Sequence, residues 1–286
     1  MYKKPILDAV KIIGPSILAV LLLISNSAAE QNIDTERLLR RMTPPLAVTE
    51  EALLTKDEMY FDAYYEPSDI VQGSRTGHWS EITSTYGYKH DKVQGYGSVT
   101  RYERFSNRDF TANIGAYFNF PDSYVHSEIG VGWYTTYIYN LMILNEYGHK
   151  LFKDVFWQIG YNFRKYNSSD DSHMIYPSLI YYFGDSYMSA SYGATYIEGR
   201  GTGNFGNFRG DFAITEFLHL TSGVAVGQWL YDIYGLDPSK EFGYILSIGL
   251  TAKVYKGISA RVGYSYSAEE PKFIKRSLSF GLSAKF

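Results

Sequence analysis

The sequence predicts an all-β chain: a transmembrane, antiparallel, up-and-down β-barrel of about fourteen strands, with twelve as the alternative. Three observations carry this. Apolar and polar residues alternate with a period of two from Glu58 to Phe286. Short and longer connections alternate along the second half of the chain. The polar positions hold Ser, Thr, Asn, Gln and Gly, and few long charged side chains.

The first residues read as a targeting segment, 1–29. Lys3, Lys4 and Lys11 form a basic flank before IIGPSILAVLLLISNSAA. Ser27 and Ala29 supply the small pair for cleavage before Glu30. A single membrane anchor is the competing reading, but Gly14 and Pro15 interrupt the run and it is short for a span. Residues 30–57 form a polar periplasmic lead-in without aromatics. They could hold one helix, Thr35 to Met42, capped by Asp34 or Thr35 and stopped by Pro44 and Pro45. Arg37, Arg40 and Arg41 read there as a solvated face, with no chemistry assigned.

Residues 58–286 are the barrel. In FTANIGAYFNF, Phe110, Ala112, Ile114, Ala116, Phe118 and Phe120 share one face, and Thr111, Asn113, Gly115, Tyr117 and Asn119 the other. In YVHSEIGVGWY, Val125, Ile129, Val131 and Trp133 oppose His126, Glu128, Gly130 and Gly132. In VFWQIGYNFR, Val155, Trp157, Ile159, Tyr161 and Phe163 oppose Gln158, Gly160, Asn162 and Arg164. YILSIGLTAKV, ISARVGYSYS and the closing SLSFGLSAKF repeat the scheme. The segment from Met59 to Glu66 and the stretch 133–152 can each be parsed in two ways, which leaves the strand number open.

PDS (121–123), KD (153–154), GDS (184–186) and YKG (255–257) read as tight turns. Between them lie connections read as longer: SDIVQGSRTG (68–77), SSDDS (168–172), GRGTGNFGN (199–207), IYGLDPSKEF (233–242) and AEEPKFIKR (268–276). Outer-membrane barrels show this contrast of short periplasmic turns with longer external loops.

A soluble sandwich also alternates, but it holds only about seven to nine strands. A water-facing sheet would carry more charge than is seen here, so the apolar face is assigned to lipid and the polar face to a lumen. Aromatics such as Tyr161, Phe163, Tyr264 and Tyr266 on the apolar face suit interfacial girdles. Spanning strands of about 9–11 residues fit the available length. Closure removes sheet edges, which lipid does not tolerate. The 17 % aromatic content, with 28 Tyr, suits strands.

The stretches HWSEITSTYGYKH and VTRYERFSNRDFTANIGAYFNFP, with Arg101, Arg104 and Phe105 as an Arg-x-x-Arg-Phe-like segment, resemble the YaiO-like outer-membrane β-barrel family. The resemblance spans about residues 58–286. It implies an outer-membrane barrel and carries over no catalytic residue. Some members of that family have helical repeats before the barrel, for which this chain has no room.

Composition narrows the chemistry. A net charge of −3 points to neither a nucleic acid nor another polyionic partner. With no cysteine, zinc-finger, iron–sulfur, disulfide and cysteine-lipidated architectures are excluded. No phosphate-binding glycine motif stands between a strand and a helix, and GRGTGNFGN reads as a loop. No cofactor, metal or catalytic residue is therefore expected. His126, Glu128 and Glu146 are weighed as a metal group, with a structural network preferred and an ion pair expected between Glu146 and Lys150. His78 and Ser80 share an outward face at a spacing that barrel lipid hydrolases use, but no acidic or amide group stands out on the next strand to orient the histidine. His126 and Ser127 point to opposite faces, and His219 and Thr221 read as a turn.

The lumen-lining candidates are His126, Glu128, Glu146, Lys150, Arg164, Arg209, Asp211, Lys253, Arg261 and Lys285, basic in balance towards the periplasmic ends. Twelve to fourteen strands fall between filled barrels of about eight and open ones of about sixteen. Three functions stay in play: a narrow channel or transport barrel for small solutes; a non-conducting surface scaffold or assembly/export accessory; and a lipid-modifying barrel enzyme. The expected partners are outer-membrane lipid and the barrel insertion machinery.

The terminal Phe286 reads as the aromatic assembly signal of an outer-membrane barrel. Deleting Phe286 should lower the amount of assembled barrel in the outer membrane while leaving the properties of the molecules that do assemble unchanged. Membrane quantitation by heat-modifiable gel migration tests this, and normal levels of the truncated protein would contradict it.

Overall fold

A computed structural model describes residues 57–286, except 137, 168–170, 199–200, 229–241 and 270–272; for Gln72, Arg75 and Glu269 only the backbone is described. The targeting segment, nearly all of the lead-in and most of the connection at 233–242 lie outside the described residues.

Fourteen strands form one closed antiparallel barrel in which each strand pairs with its sequence neighbours. They are β1 (Glu58–Gln72), β2 (Arg75–His90), β3 (Val93–Arg104), β4 (Asn107–Phe120), β5 (Ser123–Trp133), β6 (Leu141–Phe152) and β7 (Val155–Lys165). Then follow β8 (Ser172–Phe183), β9 (Ser186–Ile197), β10 (Gly201–Ala213), β11 (Leu218–Gly227), β12 (Gly243–Tyr255), β13 (Ile258–Glu269) and β14 (Phe273–Lys285). β1 closes on β14, with Tyr60 opposite Lys285 and Gln72 opposite Phe273. The closure ends on Phe286, whose N–H donates to the Met59 carbonyl at 2.9 Å and whose carbonyl accepts from the Met59 N–H at 3.3 Å. No strand edge is left for lipid to desolvate.

The period of two sorts the side chains as a lipid-embedded barrel requires. Phe61, Ile114, Ile129, Leu179, Ile248, Val262, Leu278, Phe280 and Leu282 are exposed on the outer face. Thr111, Asn113, Asn162, Thr195, Ser265 and Ser277 are buried on the inner face. Burying Thr and Asn while exposing Ile and Leu inverts the water-soluble pattern.

Several stretches taken for loops are strand. Of SDIVQGSRTG (68–77), only Gly73 and Ser74 lie outside β1 and β2. From Gly201 onward, GRGTGNFGN belongs to β10, and Phe273 to Arg276 belong to β14. β1 and β2 reach 15 and 16 residues, longer than a span needs. The reason is physical. Beyond the lipid band a strand keeps its backbone ladder but no longer needs an apolar outer face, so polar composition does not end it. The ambiguous stretch 133–152 resolves into the end of β5, a connection at 134–140 and all of β6.

The turns are very short at the end where β1 begins. β2–β3, β4–β5, β6–β7, β8–β9 and β12–β13 are each joined by two residues. At Gly257 the φ of +71° and the adjacent Lys285 carbonyl oxygen, which a β-carbon would strike, select glycine. At the opposite end, Phe105 and Ser106 take φ of 47° and 71°, the left-handed pair that a two-residue hairpin needs. The strain is of order 1–3 kcal/mol for each residue. It is borne because the Phe105 ring packs edge-on against Trp79, with centroids 5.5 Å apart.

Candidate functional site: the barrel interior

The two halves of the inner wall differ in residue size. From β1 to β10, inward aromatics are laid flat along the wall. Tyr60, Tyr96, Tyr124, Tyr176 and Phe205 each lie over the glycine directly opposite on the paired strand: Gly87, Gly115, Gly148, Gly160 and Gly193. A β-carbon at any of these glycines would overlap the ring. From β11 to β14 the inner positions are mostly Gly, Ser and Thr, such as Thr221, Gly223, Gly249, Gly263 and Ser279.

On the aromatic side, the tyrosines organise the buried carboxylates. His126 Nδ1 is 2.6 Å from Glu146 Oε2, and its Nε2 is 2.8 Å from the Tyr96 hydroxyl. Its ring stacks on Tyr117, with centroids 4.0 Å apart. The Tyr96 hydroxyl and the Asn113 amide donate to Glu128. Glu146 Oε1 accepts from Gln158 Nε2 at 2.6 Å and from the Tyr176 hydroxyl at 2.8 Å. Gln158 is tied in turn to the Tyr124 hydroxyl at 2.8 Å. The expected Glu146–Lys150 pair is replaced by this arrangement. His126 is the direct cross-strand neighbour of Glu146 in the β5–β6 register, whereas Lys150 sits at a register shift beside the β6–β7 turn. Direct cross-strand partners are closer than residues four apart on one strand. Among the described residues no group of three or more His, Asp or Glu could hold a metal ion.

Above this network, towards the β1–β2 turn, lies an apolar layer of Leu144, Met174, Tyr176, Phe205, Ala225 and Ile245. Beyond it Tyr102, Met142 and two residues of the β5–β6 connection, Ile138 and Tyr139, form a second apolar cluster. Arg104 lies at the same end, its guanidinium 5.0 Å from the Trp79 ring centroid and 5.2 Å from that of Tyr102. Arg164 is buried there between Met142 and Ser172. Of the Arg-x-x-Arg-Phe-like segment, Arg104 and Phe105 therefore pack around Trp79, and Arg101 turns outward to Glu103 at 2.7 Å.

On the small-residue side lies a cavity of about 340 Å³. Arg209, Asp211, Lys253 and Arg261 line it, and it reaches Ser259 beside the Lys256–Gly257 turn. His219 lines it too, with Nδ1 2.8 Å from Asp211 Oδ1. His219 and Thr221 are thus inner residues of β11 rather than a turn. Arg261 approaches Asp62 at 3.4 Å, and Lys285 pairs with Glu58 at 2.9 Å on the rim. Sequence reasoning missed a further buried pair, in which Lys275 Nζ donates to Glu66 Oε1 at 2.9 Å. Its only signal lies in the closure of the first strand on the last.

On the outer face, His78 has the orienting partner that the sequence did not reveal. Asp69, directly across the β1–β2 hairpin, places Oδ1 2.6 Å from His78 Nδ1.

Glu146 is the acceptor on which His126, Gln158 and Tyr176 converge. Replacing it by Ala should destabilise the barrel by about 3–5 kcal/mol, the cost of stranding buried partners, while Lys150→Ala should stay within about 0.5 kcal/mol. Urea unfolding in detergent, followed by tryptophan fluorescence, separates the two.

No protein-family model matches the chain, and no curated protein matches it. Among solved structures, it resembles the CymD monoaromatic hydrocarbon channel at a TM-score of 0.60 and 8 % identity, over 82 % of this chain and 90 % of that one. It resembles the Pseudomonas putida toluene transporter TodX at 0.57 and 9 %, over 92 % and 95 %. It resembles Acinetobacter baumannii Omp33 at 0.51 and 11 %, over 80 % and 99 %. At these identities the likeness is one of fold, and that fold is the outer-membrane β-barrel, including barrels that are channels and transporters.

Proposed function

We propose that this protein is an outer-membrane barrel of the YaiO type that works as a narrow transport barrel for small solutes. The observation that carries the reading is the unequal inner wall. Aromatic rings fill one side, and small residues on β11–β14 leave a polar cavity of about 340 Å³ on the other. A barrel serving only as a scaffold would gain stability from filling that space. We take the end where β1 begins, at which most of the hairpins are closed by two residues, as the periplasmic one, and the cavity lies towards it. Arg209, Lys253 and Arg261 against Asp211 give it a basic lean that favours anionic or dipolar solutes. The apolar layer of Leu144, Met174, Phe205 and Ile245 stands between the cavity and the outside. Such layers gate by excluding water. The fold likeness to a hydrocarbon channel and a toluene transporter supports a transport role without fixing the solute. The alternative, a non-conducting scaffold or export accessory, draws on the lead-in segment.

Planar-bilayer recording of purified protein tests the reading. The wild type should give small, infrequent conductance steps. Phe205→Ala, which thins the apolar layer, should raise conductance several-fold, and Lys253→Glu together with Arg261→Glu should shift selectivity towards cations. Absence of steps from well-folded wild type and from Phe205→Ala alike would overturn it.

A further inference from the structure

The outer face carries a second arrangement that the lumen does not explain. His78 and Ser80 stand two residues apart on β2, both outward, and Asp69 stands directly opposite His78 on β1. Asp69 Oδ1 lies 2.6 Å from His78 Nδ1. This leaves Nε2 as the free ring nitrogen, on a strand face where the next outward side chain along β2 is Ser80. A hydroxyl, an imidazole and a carboxylate in that order are the parts of an activated nucleophile, and the recognisable feature is the role of each group rather than its order in the chain.

The surroundings fit a lipid ester. A groove of about 1020 Å³ on the outer surface contains all three groups together with Arg276. Its other end is lined by Tyr65, Tyr264 and Leu278. Arg276 is the β14 residue directly opposite Asp69, so cation, carboxylate and imidazole form one row across three strands. Along β1, β2 and β14 the residues towards the short-turn end are apolar and exposed: Tyr65, Ile82, Leu278 and Phe280. The row therefore sits where the lipid-facing band gives way to polar surface, at the depth of ester linkages rather than of acyl tails. Acyl chains would lie on Tyr65, Tyr264 and Leu278, and an anionic headgroup would meet Arg276.

We propose that Asp69, His78 and Ser80 form an acyl-ester hydrolase site for membrane lipids in the leaflet at the β1–β2 turn end. Ser80 Oγ attacks the ester carbonyl carbon as His78 Nε2 takes the hydroxyl proton. The C–O bond to the alcohol breaks, and the lysolipid leaves with that proton. Water, deprotonated by His78, then cleaves the acyl–serine ester, releasing the fatty acid and returning the proton to Ser80. Ser80 and His78 are the catalytic residues. Asp69 is a positioning residue, which holds the ring so that Nε2 accepts. The site lies outside the barrel and does not depend on the lumen conducting.

The test uses the full chain in mixed micelles of detergent and diacyl phosphatidylethanolamine, with released fatty acid and fluorophosphonate labelling as readouts. Wild type should release fatty acid and carry one probe adduct on Ser80. Ser80→Ala should lose both, and His78→Ala should reduce release by about 100-fold or more. Asp69→Asn should lower kcat by about 10-fold or more with KM unchanged, and Asp69→Glu should restore part of it. His90→Ala removes the histidine of another Asp–His pair, at the opposite end, and should change nothing. Asp69, His78 and His90 are exposed and Ser80 is half-buried, and gel migration of the folded barrel verifies each variant. A wild type that neither releases fatty acid nor takes the probe on Ser80, or release that survives Ser80→Ala, would overturn the proposal.

Discussion

The arrangement of the interior depends on one steric pairing: an inward aromatic ring laid over a glycine on the strand opposite. A tyrosine pointing straight into a fourteen-stranded lumen would leave voids on both sides of its ring. Laid along the wall, it covers the backbone of its neighbour, and only glycine permits that approach. The pairing then fixes where the hydroxyls end. Tyr96 reaches Glu128 and His126, Tyr124 reaches Gln158, and Tyr176 reaches Glu146. The buried carboxylates are tolerated because these hydroxyls and His126 stand around them. Where the pairing is absent, beside Thr221, Gly249 and Gly263, no ring covers the wall and the polar cavity remains.

Much of the fold was legible because a strand has only two faces. Once the apolar face is known, the alternation assigns every other residue, and the closing Ser277 to Phe286 is sorted as the pattern says, with Leu278 exposed and Ser277 buried. Strand length was less legible. Ser68, Asp69, Gly201 and Asn204 look like loop residues, yet they extend strands beyond the lipid band, where a polar outer face costs nothing.

The site was legible in kind and not in pairing. Alternation alone marks His126, Glu128 and Glu146 as inner residues, but which of them touch depends on register, and register depends on the turns. In the β5–β6 register His126 stands opposite Glu146, so the nearer partner prevails over Lys150 on the same strand. Asp69 and His78 carried a readable signal: each lies four residues from the two-residue turn Gly73–Ser74. Reading 68–77 as a loop concealed it. The Glu66–Lys275 contact needs closure of the barrel, which joins residues that no local pattern connects.

We propose separate work for two surfaces of one wall: transport for the inner face of β10–β14 and lipid chemistry for the outer face at β1–β2. The first is central: one side of the lumen is open to water and the other is filled. The chain has no cysteine, so single thiols can be placed at will. Thr221→Cys and Ser247→Cys line the cavity. Thr111→Cys and Ser178→Cys lie on the filled side. The most direct measurement is the rate of modification of each by a small, charged, membrane-impermeant thiol reagent in the folded barrel. Reaction should be fast at the first two positions and slower by at least about tenfold at the others. Equal rates at all four, or protection of the first pair, would contradict it.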